Sequence, residues 1–187
     1  MWLRNVLYLV AGLAAVLLVV AIVLYNRLVR WRQNVRESWS AIDTELQRRR
    51  DLIPSLVEVV RGYAKHEKDT LEAVVQARSL AAESEGDINR QAGEETKLTE
   101  RLRQLLAVVE RYPDLKASDR FLDLQQQLVD TEDRISKARR FYNANVREMN
   151  TRVSSFPGNL IAGPFGFSEQ PYFEADISAH TTPSVSM

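Results

Sequence analysis

Apolar side chains fall into two regimes along the chain. Between Arg4 and Arg27 there is no charged residue, and Val6 to Leu24 is built almost wholly of Val, Leu, Ala and Ile. That matches the roughly 20 residues a helix needs to cross a hydrocarbon core of about 30 Å. Beyond it the apolar positions thin to one in three or four: Val35, Trp39, Ile42, Leu46, then Ile53, Val57, Val60, Ala64, Leu71, Val74 and Ala81. Such spacing puts them on one face of a helix, with Glu, Arg, Lys, Gln and Ser on the other faces. Pro54 has no amide hydrogen, and Asp51 stands where it can cap a new helix. The spacing therefore predicts two helices, about 27–50 and 52–84, with one long kinked helix as the alternative.

Glu85 to Gly93 has turn chemistry, with two glycines beside Asp and Asn. A third helix is expected over about 94–112, with Leu98, Leu102, Leu105 and Val109 as its face and acids at its start. Tyr112-Pro113-Asp114 ends it. Ser118 is placed to cap a fourth helix of about 38 residues, or about 57 Å. Its stripe is Phe121, Leu124, Leu128, Ile135, Tyr142, Val146, Met149 and Val153.

No strand-like alternation precedes Phe156. The predicted fold class is all-α: an N-terminal transmembrane helix, an antiparallel up-and-down four-helix bundle, and an irregular C-terminal tail. The boundaries are an extracytoplasmic stub 1–5, the span 6–26, the bundle 27–155 and the tail 156–187. The tail carries no Lys or Arg, but four prolines, three glycines and the aromatics Phe156, Phe165, Phe167, Tyr172 and Phe173. Those aromatics have three available fates: packing on the bundle, dipping into the membrane surface, or meeting a neighbouring subunit. Ser178 to Met187 is small and polar, the composition of a segment loose by itself or ordered on binding.

Charge sets the orientation. Arg27, Arg30, Arg32 and Arg36 follow the span, against Arg4 alone before it. The arginine-rich flank is expected in the cytoplasm, which predicts a single-pass membrane protein with a cytoplasmic bundle. A cleaved leader is the competing reading. However, the small residues Ala11 to Ala15 lie inside the apolar run rather than after it, and leader cores span only about 7–15 residues.

Composition excludes more than it assigns. Basic and acidic residues number twenty-five each, so no net field draws the chain to nucleic acid. Arg48-Arg49-Arg50 is read as a solvated helix end, too small and too poor in aromatics for a nucleic-acid site. With no cysteine, disulfides and thiolate chemistry are absent. No phosphate loop, nucleophile elbow or metal-ligand cluster is visible. His66-Glu67 fails as a zinc-protease motif because Thr70 stands where the second histidine is required. No catalytic, cofactor or metal residue is assigned.

Four charges do fall on the apolar stripes: Glu67 and Arg78 after Ala64, and Glu132 and Arg139 around Ile135. Buried charge is costly unless paired, so these four are expected to form inter-helix ion pairs. A two-metal carboxylate site is the rival, but neither acid has the histidine three residues on that such bundles use.

Taken together, several motifs make the chain similar to the LemA family of bacterial membrane proteins. They are Tyr25-Asn26-x-Leu28-Val29, Arg49-Arg50-Asp51-Leu52-Ile53-Pro54, His66-Glu67, Ala77-Arg78, Tyr112 to Ala117, Glu132, Ala138-Arg139-Arg140-x-Tyr142-Asn143 and Phe156-Pro157, ending around Tyr172-Phe173. Ser55 and Met149 depart from the pattern, where Asn and an aromatic are usual. The resemblance implies a membrane anchor and a four-helix bundle without known enzymatic activity, in a family whose members occur beside membrane metalloproteases or in membrane-remodelling settings. Two functions are carried forward: a membrane-anchored scaffold that self-associates as a homo-oligomer, and an adaptor that presents clients to a membrane protease or another membrane complex.

Overall fold

The computed structural model describes residues 1–174, and the expectation for Ser178 to Met187 lies outside them. Among the described residues every regular element is a helix: α1 Trp2–Tyr63, α2 Lys68–Glu83, α3 Ile88–Val109, the short α4 Pro113–Lys116, α5 Asp119–Ser154 and the short α6 Gly158–Ala162. They fall into two compact units, one of residues 1–39 and 142–170, the other of residues 40–141 and 171–174.

The second unit contains the bundle core. Ile53, Leu56, Val60, Leu71, Val74, Leu98, Leu105, Phe121 and Leu128 meet there, so each of the four main helical segments contributes its stripe. Cross-helix partners fix the directions. Glu45, Arg49 and Glu58 of α1 pair with Arg134, Glu132 and Arg120 of α5 in reverse order, so those segments are antiparallel. Asp43 and Arg49 of α1 meet Gln91 and Glu95 of α3 in the same order, so those two run parallel. With a short connection on each side of α2, the topology is up-down-up-down, a four-helix bundle.

The expected division at Asp51 is corrected. α1 continues through Pro54 to Tyr63. Proline leaves the carbonyl four residues back without its helical donor, here the carbonyl of Arg50. Arg78 of α2 supplies the missing proton: its Nε donates to that oxygen at 2.7 Å. The chain breaks instead at Ala64 to Glu67, which resets the helical register before α2.

α3 begins earlier than the turn signals suggested. Asp87 is extended, and its carboxylate accepts from the amides of Asn89 and Arg90, both at 3.1 Å. An N-cap of this kind satisfies donors that the first turn leaves free.

In the first unit, the leading part of α1 is exposed and apolar, long enough and hydrophobic enough to cross a membrane, with a mean hydropathy of 3.0. Protein cover begins at Ala21 and Leu24 and is complete at Leu28. Aromatic contacts then join α1 to the returning chain. Trp39 meets Tyr142 edge-on at 5.4 Å, and the Arg152 guanidinium lies 4.7 Å from the centre of the Trp31 ring.

The tail is less irregular than expected, because α6 folds back on the end of α5. A Cβ on Gly158 would drive into the backbone of Arg152, so only glycine allows this approach. Gly166, at φ 68°, makes the next turn. Asn150 then holds the tail with both ends of its amide: Oδ1 accepts from the Gln170 amide at 2.8 Å and Nδ2 donates to the Gln170 carbonyl at 3.0 Å.

Two measurements test these arrangements. Arg78→Ala strands the Arg50 carbonyl and is expected to destabilise the full chain in detergent by about 1–3 kcal/mol. In a Pro54→Ala background, which restores a backbone donor, urea unfolding should show a smaller loss; equal losses in both backgrounds would refute the repair. The second concerns Tyr142, which is buried, and whose hydroxyl burial pushes up to about 12. Its raised folded pKa favours the protonated fold, so this contribution is whole below the unfolded value of about 10 and is lost as pH rises through 12. Alkaline absorbance titration should show a late-ionising tyrosine that Tyr142→Phe removes.

Candidate functional site

The most concentrated chemistry among the described residues is a buried charged cluster in the second unit. The three-and-four steps that bury Ile42, Leu46 and Ile53 also bury Arg49, and those that bury Leu98 and Leu102 also bury Glu95. Arg49 is 1% exposed, Arg50 2% and Glu95 1%. The solvated helix end expected at Arg48-Arg49-Arg50 is thus corrected for two of its three residues.

Arg49 binds three side chains from two helices. Its Nη1 donates to Glu132 Oε1 at 2.6 Å and to Thr99 Oγ1 at 2.7 Å, while its Nη2 pairs with Glu95 Oε2. The other Glu95 oxygen faces Arg50 Nη1 at 3.3 Å, and Arg50 Nη2 donates to Gln47 at 2.8 Å. One carboxylate therefore sits between two guanidinium forks, an arrangement that satisfies charge and hydrogen bonding together.

Electrostatics follow the geometry. Burial works against the charge on Arg49, but the carboxylates of Glu95 and Glu132, with their hydrogen bonds, hold its pKa above the ordinary arginine value. Arg139 shows the opposite balance. Burial lowers its pKa, repulsion from Arg49 lowers it further, and the pull of Glu132 and Glu95 only partly compensates. Its guanidinium lies over the ring of Phe173, 5.3 Å from the centroid.

The pairing expected among Glu67, Arg78, Glu132 and Arg139 is not the one found, for among the described residues none of the four forms an ion pair with another. Glu67 lies in the break after α1, not on a continuous stripe, and accepts from Arg111 at 2.8 Å and from the Tyr112 hydroxyl at 3.1 Å. Burial and this bond both raise the Tyr112 pKa. Arg78 serves the Arg50 carbonyl. Only Glu132 joins the central cluster, through Arg49. Extending the periodicity across a helix end misplaced Glu67; extending it through Arg49 and Glu95, where the helices do continue, would have found the cluster.

The tail aromatics divide. Phe167 and Phe173 are buried and Tyr172 is half-buried, whereas Phe156 and Phe165 are exposed. Phe167 packs against Tyr25, ring centres 5.7 Å apart, and lies under the Arg32 guanidinium at 4.8 Å. Packing on the protein and outward display thus apply to different residues of one segment.

Chemically, the cluster is arranged for holding. Arg49 and Glu95 bond to each other, and Arg49 also to Thr99 and Glu132, while Arg49 Nε is buried without a partner. Among the described residues no group of three or more His, Cys, Asp or Glu side chains is placed to hold a metal ion.

Comparison with known proteins places these features in a family. The LemA family profile matches residues 38–187. The magnetosome protein MamQ 2 of Paramagnetospirillum magneticum is 25% identical over 202 residues, covering 95% of this chain and 72% of that protein. MamQ of Magnetospirillum gryphiswaldense is 25% identical, covering 84% and 67% respectively. Protein LemA of Metamycoplasma hominis is 26% identical over 150 residues, covering 80% and 68%.

Arg49 is the residue on which the cluster turns. Arg49→Met is expected to cost about 3–5 kcal/mol, because it leaves Glu95 and Glu132 without their shared partner. Arg49→Lys should recover little, since one ammonium lacks the fork that reaches both carboxylates. Urea unfolding of the full chain, followed by circular dichroism, checks both; a loss below about 1 kcal/mol for the methionine variant would mean the cluster does not hold the helices.

Proposed function

The chain belongs to the LemA family, and we propose that it is a non-enzymatic scaffold, anchored in the bacterial inner membrane, whose cytoplasmic bundle self-associates along the bilayer. The observation that carries this reading is the contrast between the two kinds of surface. Every buried charged side chain among the described residues is engaged by another part of the same chain, whereas apolar side chains are displayed outward.

On the bundle, Leu122, Val129 and Phe141 of α5 are 47%, 49% and 61% exposed. Leu122 and Val129 are seven residues apart and share a helix face. Displayed apolar groups of this kind favour side-by-side association, and a membrane anchor raises the local concentration that drives it.

The similarity to relatives supports reading the apolar helix as an anchor. A match covering 95% of the chain to a MamQ protein must include most of the N-terminal helix. Orientation rests on the arginines: Arg27, Arg30 and Arg36 are exposed just beyond the span, where a cytoplasmic leaflet rich in anionic lipid would attract them.

Because the chain contains no cysteine, Val129→Cys reports on both parts of the proposal. Oxidation of native membranes should yield disulfide-linked copies, and the protein mass within particles extracted with their lipid should be a multiple of the 21.4 kDa of one chain. A membrane-impermeant maleimide should label the cysteine only after the cells are broken. Single-chain particles without crosslinks would refute self-association, and labelling of intact cells would refute the orientation.

A further inference from the structure

The outward-facing part of the tail lies beside the end of the membrane span. Leu24 closes the aliphatic run and Tyr25 follows it. Tyr25 packs edge-on against Phe165, with ring centres 5.1 Å apart. Leu24 shares with Phe156, Pro157 and Gly158 a cleft of about 310 Å³, rimmed by Arg27 and Arg152. The turn between α5 and α6, α6 itself and the turn after it are therefore level with the last turn of the span.

At that level the segment displays apolar groups. Phe156 is 79% exposed, Leu160 63% and Phe165 58%. No charged residue occurs from Phe156 to Ser168. The next charges along α1, Arg27 and Arg30, are exposed about one turn farther from the hydrocarbon, at 1.5 Å of rise per residue.

We propose that residues 156–168 form a second membrane contact, a monotopic wedge whose Phe156, Leu160 and Phe165 enter the headgroup–acyl boundary beside α1, while Arg27 and Arg30 meet anionic headgroups above them. The position decides the occupant. Side chains held at the depth of the span's end face lipid across the membrane plane, and the order apolar, then aromatic, then arginine follows the bilayer's own polarity profile. The buried ring of Phe167 packed on Tyr25 and the Asn150 clamp on Gln170 hold the wedge to the helix that crosses the bilayer. Folding secures its depth, and no partner protein is required.

This inference does not rest on self-association, and its test keeps the two apart. Single cysteines replace Leu160, Phe165, Leu17 within the span and Glu37, exposed on α1 about 20 Å beyond Leu24. Each full-length variant carries an environment-sensitive fluorophore and is reconstituted at one copy per nanodisc of phosphatidylcholine and phosphatidylglycerol. With nitroxide lipids labelled near the headgroup end of the acyl chain, the probes at 160 and 165 should emit blue-shifted light and lose most of their intensity. The probe at 37 should be unaffected, and the probe at 17 should respond best to nitroxides deep in the chain. Probes at both 160 and 165 that behave like the probe at 37 would overturn the proposal. So would quenching that is absent in single-copy discs while the same cysteines form disulfides between copies in native membranes, since the surface would then belong to a second chain. Asn159→Cys, which replaces an exposed polar residue on α6, repeats the measurement without removing an apolar side chain.

Discussion

A fully desolvated guanidinium must find its compensation within hydrogen-bond reach, and in this bundle that requirement falls on Arg49. Its two terminal nitrogens draw in Glu95 and Thr99 from α3 and Glu132 from α5. Leucines can slide past one another with little penalty, but a buried fork facing two carboxylates has one register that satisfies it. Arg50 occupies the other side of Glu95 and prevents that acid from becoming an uncompensated charge in turn. The apolar stripes supply the drive to pack, and the cluster selects among the packings they would allow.

The same economy explains the passage of α1 through Pro54. A proline in mid-helix leaves a carbonyl without its donor, and a partly buried carbonyl calls for a side chain to replace it. Arg78 does so from the neighbouring helix. The repair converts a local defect into a tertiary contact between α1 and α2. Conversely, the break after Tyr63 occurs where Glu67 is held by Arg111 and Tyr112 at the end of α3. Side-chain partners, and not proline alone, decide where this helix stops.

In the unit that carries the apolar helix, cohesion comes from rings and cations instead of from carboxylates. Trp31 with Arg152, Arg32 with Phe167 and Tyr25 with both Phe165 and Phe167 join α1 to the returning chain. Such contacts suit the edge of a bilayer, because aromatic groups tolerate the graded polarity there. The separation of the tail into buried and displayed aromatics follows from where α6 turns, which Gly158 permits by giving up its side chain.

Much of this protein was legible in its sequence. A bilayer-length apolar run and stripes at helical spacing reflect solvent avoidance, which acts on each residue according to its type and position, so the anchor, the all-α class and the bundle could be read without coordinates. Motifs such as Arg49-Arg50-Asp51-Leu52-Ile53-Pro54 carried the family resemblance, since a fixed order of residues is itself a linear signal. The break at Asp51, the exposed arginine run and the pairing of Glu67 with its stripe could not be settled that way. Each depends on whether a distant residue completes a hydrogen bond: Arg78 for the Arg50 carbonyl, Glu95 and Glu132 for Arg49, Arg111 for Glu67. Proximity across helices is a property of the packed chain, and polar satisfaction is decided only when the helices have met.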